Sequence, residues 1–258
     1  MRRYELYEAA VQDAPSEAAL LDRIYREANG RPARRLREDF CGTFWLGYEW
    51  VRRHKENRAL GTDLDFDALA DGFRRHASSS GLQGSTRTSL YCGDVRTSPK
   101  LATDIVFAGN FSYFVFKERS QLLEYFRNAR ESLAPSGLLI LDHFGGADIH
   151  EASTELSRRD SDRFGRFEMS WRQSAFDEFT ASSRFTLKAR PRNEKRWTTL
   201  GVYDWRLWSI PEIKDALAEC GFTRVSVYWQ KDNGHFARRE KSEANCLKWL
   251  AYIVAARN

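Results

Sequence analysis

The first 145 residues alternate strand-like and helix-like runs, and this feature restricts the fold most. Successive strands joined by helices run parallel in one sheet, which needs cover on both faces. Strands are predicted at residues 34–40, 58–64, 88–92, 104–108 and 137–141. A helix at 16–28, with Ala19, Leu20, Ile24 and Ala28 on one face, precedes the Gly30-Arg31-Pro32 break. Further helices are expected at 44–54, from Asp67 to about His76 behind a cap at Asp65, and at 118–133, where Pro135 and Gly137 stop the last one.

The rhythm changes from about residue 144 to 208. Phe167-Glu-Met-Ser-Trp171 and Arg184-Phe-Thr-Leu-Lys-Ala189 alternate apolar and polar residues, predicting an antiparallel insertion of two or three strands with a turn at 190–193. Then Ser209-Ile-Pro-Glu212 forms a capping-box pattern that opens a helix ending at Gly221. A sixth strand at 223–230, a polar stretch at 231–245 and a seventh strand at 249–255 complete the pattern.

In open α/β sheets, ligands bind outside the carboxyl ends of the strands. Here those ends read Glu38-Asp-Phe-Cys-Gly-Thr43, Thr62-Asp-Leu-Asp65 and Cys92-Gly-Asp-Val95, then Gly109-Asn-Phe-Ser-Tyr113 and Asp142-His-Phe-Gly-Gly146. Three consecutive strands thus deliver a carboxylate to one edge. A single acid there is an ordinary helix cap, but three in order behind a glycine turn point to a ligand. Asp63 suits a ribose diol, since a carboxylate accepts from both hydroxyls. The first loop argues against a dinucleotide, because a pyrophosphate needs several glycines and Phe44 and Trp45 stand in the way. No G-x-x-x-x-G-K-[ST] loop is present. A phosphate-free nucleoside with a positive group matches better.

As an ordered set, Glu38-Asp-Phe-Cys-Gly-Thr43, Gly61-Thr-Asp-Leu-Asp65 and Gly93-Asp-Val95 resemble the first three motifs of class I S-adenosylmethionine-dependent methyltransferases. Leu133-Ala-Pro-Ser-Gly-Leu-Leu139 is similar to that family's lead-in to strand five, and the likeness spans residues 34–142. It implies an α/β fold: a Rossmann-like, seven-stranded, mostly parallel sheet with helices on both faces and a small antiparallel insertion after strand five. It also implies one domain over residues 1–258, with a helix and lid at 1–30 and an acceptor-side cap at 144–208.

The resemblance puts Glu38 and Gly42 beside the methionine part of S-adenosyl-L-methionine, Asp63 on the ribose, Leu64 on the adenine, and Asp94 on the adenine amino group with Val95 beside it. Tyr7, in a segment expected to precede the first helix with Tyr4, joins this set, as do Asn110 and Ser112 at the end of strand four. His143 and Tyr113 are the catalytic candidates, His143 as general base. Phe40 and Phe44 depart from the pattern, standing where the family has glycine or small residues. Tyr203-Asp-Trp-Arg206 is the favoured substrate-side segment.

Composition trims the alternatives. The chain has 258 residues, 42% of them hydrophobic, and a net charge of only +5, which favours a packed core over disorder. No apolar run approaches the roughly 20 residues of a membrane helix. MRRYELYEAAVQD lacks an apolar leader core, and Cys41, Cys92, Cys220 and Cys246 form no C-x-x-C pair, so a cytoplasmic protein is expected. No metal-ligand spacing is found. The expected partner is a small-molecule methyl acceptor, with a homodimer a further expectation and nucleic acid disfavoured. Two other readings stay open: an RNA or protein methyltransferase using the basic runs at 184–196 and 231–241, and a non-catalytic nucleoside-binding module.

Overall fold

The computed structural model describes residues 2–77, 86–239 and 246–257. Five parallel strands form the centre: β1 (Arg35–Asp39), β2 (Arg58–Asp63), β3 (Thr88–Cys92), β4 (Thr103–Ala108) and β5 (Leu133–Gly145). The carboxyl-terminal strands are β10 (Arg224–Gln230), β11 (Phe236–Arg239) and β12 (Trp249–Ala256). Spatial order is β11-β10-β12-β5-β4-β1-β2-β3, so the winding reverses between β1 and β4. β12 runs antiparallel to both β5 and β10. The sheet has eight strands, one more than the sequence predicts, because β11 forms inside the polar stretch; residues 240–245 of that stretch lie outside the described ones.

Helices cover both faces. α2 (Ala14–Asn29), α3 (Trp45–Arg53) and α4 (Phe66–His76) pack on one, and α5 (Arg119–Ser132) and α6 (Ile210–Glu219) on the other. Local chemistry sets their ends. Asp13 caps α2 by accepting from the Ser16 N–H at 3.2 Å, and left-handed Gly30 closes it. The buried stripe of α2 is Ala14, Ala18, Leu21, Ile24 and Tyr25, rotated from the predicted face, which shares only Ile24 with it. Asp65 caps α4 at Ala68, and Ser209 and Glu212 form both halves of the capping box on α6.

The insertion is a separate four-stranded antiparallel sheet, larger than predicted: β6 (Ser153–Ser161), β7 (Gly165–Gln173), β8 (Ser182–Pro191) and β9 (Thr198–Arg206). Across it lies α1 (Arg2–Val11), where the sequence suggested a lid without a helix of its own. Leu6 and Ala10 of α1 pack on Phe167, Leu187, Ala189 and Leu200. A bulge at Leu200 interrupts the β8–β9 register, and the chain around it enters the site.

A fully buried Arg37 ties the layers together. Its guanidinium meets Asp39 at 2.7 and 3.0 Å, Asn128 at 2.7 Å, Ser132 at 2.5 Å and the Val95 carbonyl at 2.9 Å. Tyr125 also donates to Asp39, at 3.1 Å. Every polar atom of this pair is engaged, which is what makes a buried ion pair tolerable. Among the described residues, no helix is long and apolar enough to cross a membrane, and no group of three His, Cys, Asp or Glu side chains is placed to hold a metal ion.

Candidate functional site

The loop after β1 turns sharply enough to need left-handed backbone at three positions: Phe40 (φ 56°), Gly42 (φ 52°) and Phe44 (φ 57°). Phenylalanine thus adopts a glycine-like conformation twice, at a cost of roughly 1–2 kcal/mol each. Packing offsets it. The Phe44 ring is fully buried and meets Tyr48 edge-on at 5.2 Å, and Phe40 packs on Phe116 and Tyr125 at 5.8 Å. The glycines have moved elsewhere: a Cβ at Gly47 or Gly61 would run into the Phe44 ring.

This loop is fastened to β2. The Gly42 N–H donates to one Asp63 oxygen at 2.6 Å and the Asp65 N–H to the other at 2.8 Å. Burial nevertheless raises the Asp63 pKa above the usual carboxylate value. Around it opens a cavity of about 310 Å³ beside the point where the winding reverses. Of the predicted site residues, Tyr7, Gly42, Asp63, Asn110 and Ser112 line it together. Glu38 stands behind the loop, buried, accepting from the Gly47 N–H at 3.1 Å; burial drives its pKa well up.

Other predicted residues fall outside the cavity. Leu64 is 73% exposed, Val95 is buried in the core beneath α5, and Asp94 is gripped by Arg96, at 2.6 Å at the closest. That ion pair holds the Asp94 pKa below its usual value. His143 and Tyr113 are 1% and 0% exposed, and they hydrogen-bond each other. His143 also bonds the Trp208 backbone and stacks on Trp249 at 5.5 Å. Burial lowers its pKa to about 3. The expected catalytic pair is therefore a sealed, neutral core pair that does not reach the cavity. Side chains alternate along β5, so Asp142 and His143 leave on opposite faces.

The structure gives two further aromatic residues, placed from sequence in the lid and the substrate-side segment, contacts at this site. Tyr4 donates to both Asp65 oxygens, at 3.1 and 3.0 Å. Tyr203, assigned from sequence to the substrate side, lines this same cavity and hydrogen-bonds Tyr7. α1 is latched in place by Glu8, which takes both arms of Arg75, at 2.6 and 2.8 Å, together with His76 and the Thr43 hydroxyl. Burial alone would raise the Glu8 pKa, but these donors hold it at about 2.

Asp142 accepts from the backbone N–H groups of Phe111, at 2.8 Å, and Asn110; Glu17 accepts from Tyr252 at 2.7 Å. Burial raises both acids, helped by the charge of Asp13 at Glu17, which reaches about 6, and by the charge of Glu17 at Asp142. The cavity itself is lined by two carboxylates, Asp63 and Asp65, against one base, Arg3, with the phenol rings of Tyr4, Tyr7 and Tyr203 in its wall. Such a field favours a cation.

No protein-family model and no curated protein sequence matches this chain. Solved structures do. The amino pentose methyltransferase CalS10 of Micromonospora echinaspora, solved with bound S-adenosylmethionine, is 16% identical over 100% of this chain and 97% of its own (TM-score 0.69). DesVI of Streptomyces venezuelae is 16% identical over 98% and 96% (TM-score 0.73). The sugar N-methyltransferase KedS8 of a Streptoalloteichus species is 19% identical over 98% and 92% (TM-score 0.68). At these identities the likeness is one of fold, and it runs the full length of the chain, insertion included.

Proposed function

We propose that this chain is an S-adenosylmethionine-dependent methyltransferase acting on a small-molecule acceptor. One observation carries the reading: a cavity at the reversal point of the sheet with Asp63, at the end of β2, and Asp65 in its wall and Tyr4 and Tyr7 closing over it. The donor set fits a sulfonium nucleoside. Carboxylates and aromatic faces suit its charge, and a first loop built of Phe40 and Phe44 offers little to a pyrophosphate. CalS10 and KedS8, methyltransferases of the same fold, add support.

Asp63 would hold the ribose and Gly42 the methionine end with Glu38 behind it, while the adenine would extend out of the cavity toward exposed Leu64 and toward Asp94, with Val95 in the core beneath. When bound, the cofactor supplies an electrophilic methyl carbon: the acceptor lone pair makes the new bond while the C–S pair leaves with sulfur. The chain binds, aligns and excludes water, and α1 and β9 do the excluding. His143 and Tyr113 are shut away, which favours an amine, able to lose its ammonium proton to water, over a hydroxyl that needs a base.

The test is thermal. S-adenosylmethionine or its demethylated product should raise the melting temperature, and Asp63→Ala should abolish the rise. A rise with NAD and with neither nucleoside sinks the reading. A screen of amines, sugars, amino acids and RNA with methyl-labelled cofactor identifies the acceptor.

A further inference from the structure

A second pocket, of about 370 Å³, lies between the end of β5 and the insertion. Phe111, Phe144, Trp171 and Trp249 supply four aromatic rings to its wall, and Ile149 and Leu250 add aliphatic side chains. Ser153, Gln173 and Gln230 are its neutral polar residues. The rings are braced. Phe111 meets Phe144 edge-on at 4.7 Å, and Trp249 lies against Trp229 at 4.7 Å and against His143. A Cβ at Gly145 would strike Trp249, so the glycine makes room for that ring. The charged lining is two acids, Asp148 and Glu155, against one base, Lys248, which pairs with Glu155. Asp148 is the acid left over.

This pocket and the candidate cofactor cavity share walls at two places. Asn110 lines the cavity and Phe111, the next residue, lines the pocket. Tyr203 lines the cavity, and its ring lies 6.2 Å from that of Trp171, which lines the pocket. A molecule held here would therefore sit beside the cofactor site.

We propose that this pocket is the acceptor half of the active site and takes a flat, mainly apolar molecule carrying an amine, an arylalkylamine in class. The rings and Ile149 fit an aromatic body, and the surplus acid at Asp148 fits an ammonium group on arrival. A polyhydroxylated acceptor carries more hydroxyls than Ser153, Gln173 and Gln230 can engage, Gln173 already donating to the Ile149 carbonyl, and would leave the rest facing carbon. The proposal rests on the methyltransferase reading. In the step it implies, the ammonium first gives one proton to water, the neutral amine nitrogen then bonds the methyl carbon, the C–S pair stays on sulfur, and the product leaves as a methylated ammonium.

Calorimetry on the full chain tests it, with tryptamine, its uncharged counterpart 3-propylindole, and glucosamine as probes. Tryptamine should bind saturably and more tightly than glucosamine. Asp148→Asn should weaken tryptamine by about threefold and leave 3-propylindole unchanged. Ile149→Trp, confirmed as folded by its melting curve, should abolish binding of both indoles by filling the pocket. Absence of tryptamine binding, preference for glucosamine, or indifference to both substitutions overturns the proposal. The melting shift with S-adenosylhomocysteine separates the two readings. A shift without tryptamine binding overturns the acceptor assignment alone; tryptamine binding without a shift overturns the cofactor reading and leaves the pocket's ligand class standing.

Discussion

Glu8 on α1 and Arg75 on α4 form a two-armed ion pair, with hydrogen bonds of 2.6 and 2.8 Å, although the two residues are 67 positions apart. This pair fixes the helix that carries Tyr4 and Tyr7. The folded-state pKa of Glu8, about 2, lies below its ordinary 4.5. The contribution is therefore complete above pH 4.5 and is lost as pH falls from 4.5 toward 2. It is on the order of 3 kcal/mol. Glu8→Gln should speed amide hydrogen exchange in residues 2–11 at pH 7 and flatten the fall of the urea midpoint below pH 4.5. Unchanged exchange there would remove the latch from the account.

His143 predicts a second pH dependence in a different window. Its folded pKa, about 3, lies below the ordinary 6.5, so the unfolded chain binds the extra proton first. Stability should decline as pH drops from 6.5 toward 3. His143→Phe should erase that slope between pH 7.5 and 5.5 in urea titrations. It should also cost about 1–3 kcal/mol, because Tyr113 and the Trp208 carbonyl lose their partner.

The exchange of glycine for phenylalanine in the first loop predicts coupling. Phe44→Ala should destabilise by about 3–5 kcal/mol through the space it leaves. Gly47→Ala alone should also destabilise, by collision with the Phe44 ring. The double variant should be more stable than the sum of the two losses predicts, since the new methyl enters the vacated space. Strict additivity in denaturant melts would contradict this packing.

Asp39→Ala strands the Arg37 guanidinium inside the core. The expected loss is about 3–5 kcal/mol by chemical denaturation. Replacing both partners, Arg37→Met with Asp39→Leu, should recover much of that loss.

The sequence showed the sheet better than the site. β3 lies where the alternation predicts it, and Asp65 and the Ser209–Glu212 box cap as their spacing requires. α1 was hidden because its buried face carries Glu5 and Glu8 beside Leu6 and Ala10, which blurs the apolar period. β6 was hidden because Ser153–Ser161 has almost no apolar alternation; its pairing with β7 makes it a strand. The fate of His143 turned on strand parity, since one residue along β5 separates the Asp142 side from a sealed core. A bulge at Leu200 shifts the β8–β9 ladder where Leu200, Gly201 and Val202 line the cavity, an irregularity no periodicity announces.

The path of α1 also bears on how the protein is made. Arg2 pairs with Glu194, 192 residues further along the chain, and Leu6 packs on Leu200. The helix is synthesised well before the strands it packs on, and it can be seated only after them. Tyr4 and Tyr7 stay unsheltered until β9 has been synthesised, so a growing chain holds a partly built sheet whose cavity around Asp63 is still open. Ligand capture is thereby reserved for molecules in which the inserted sheet has folded.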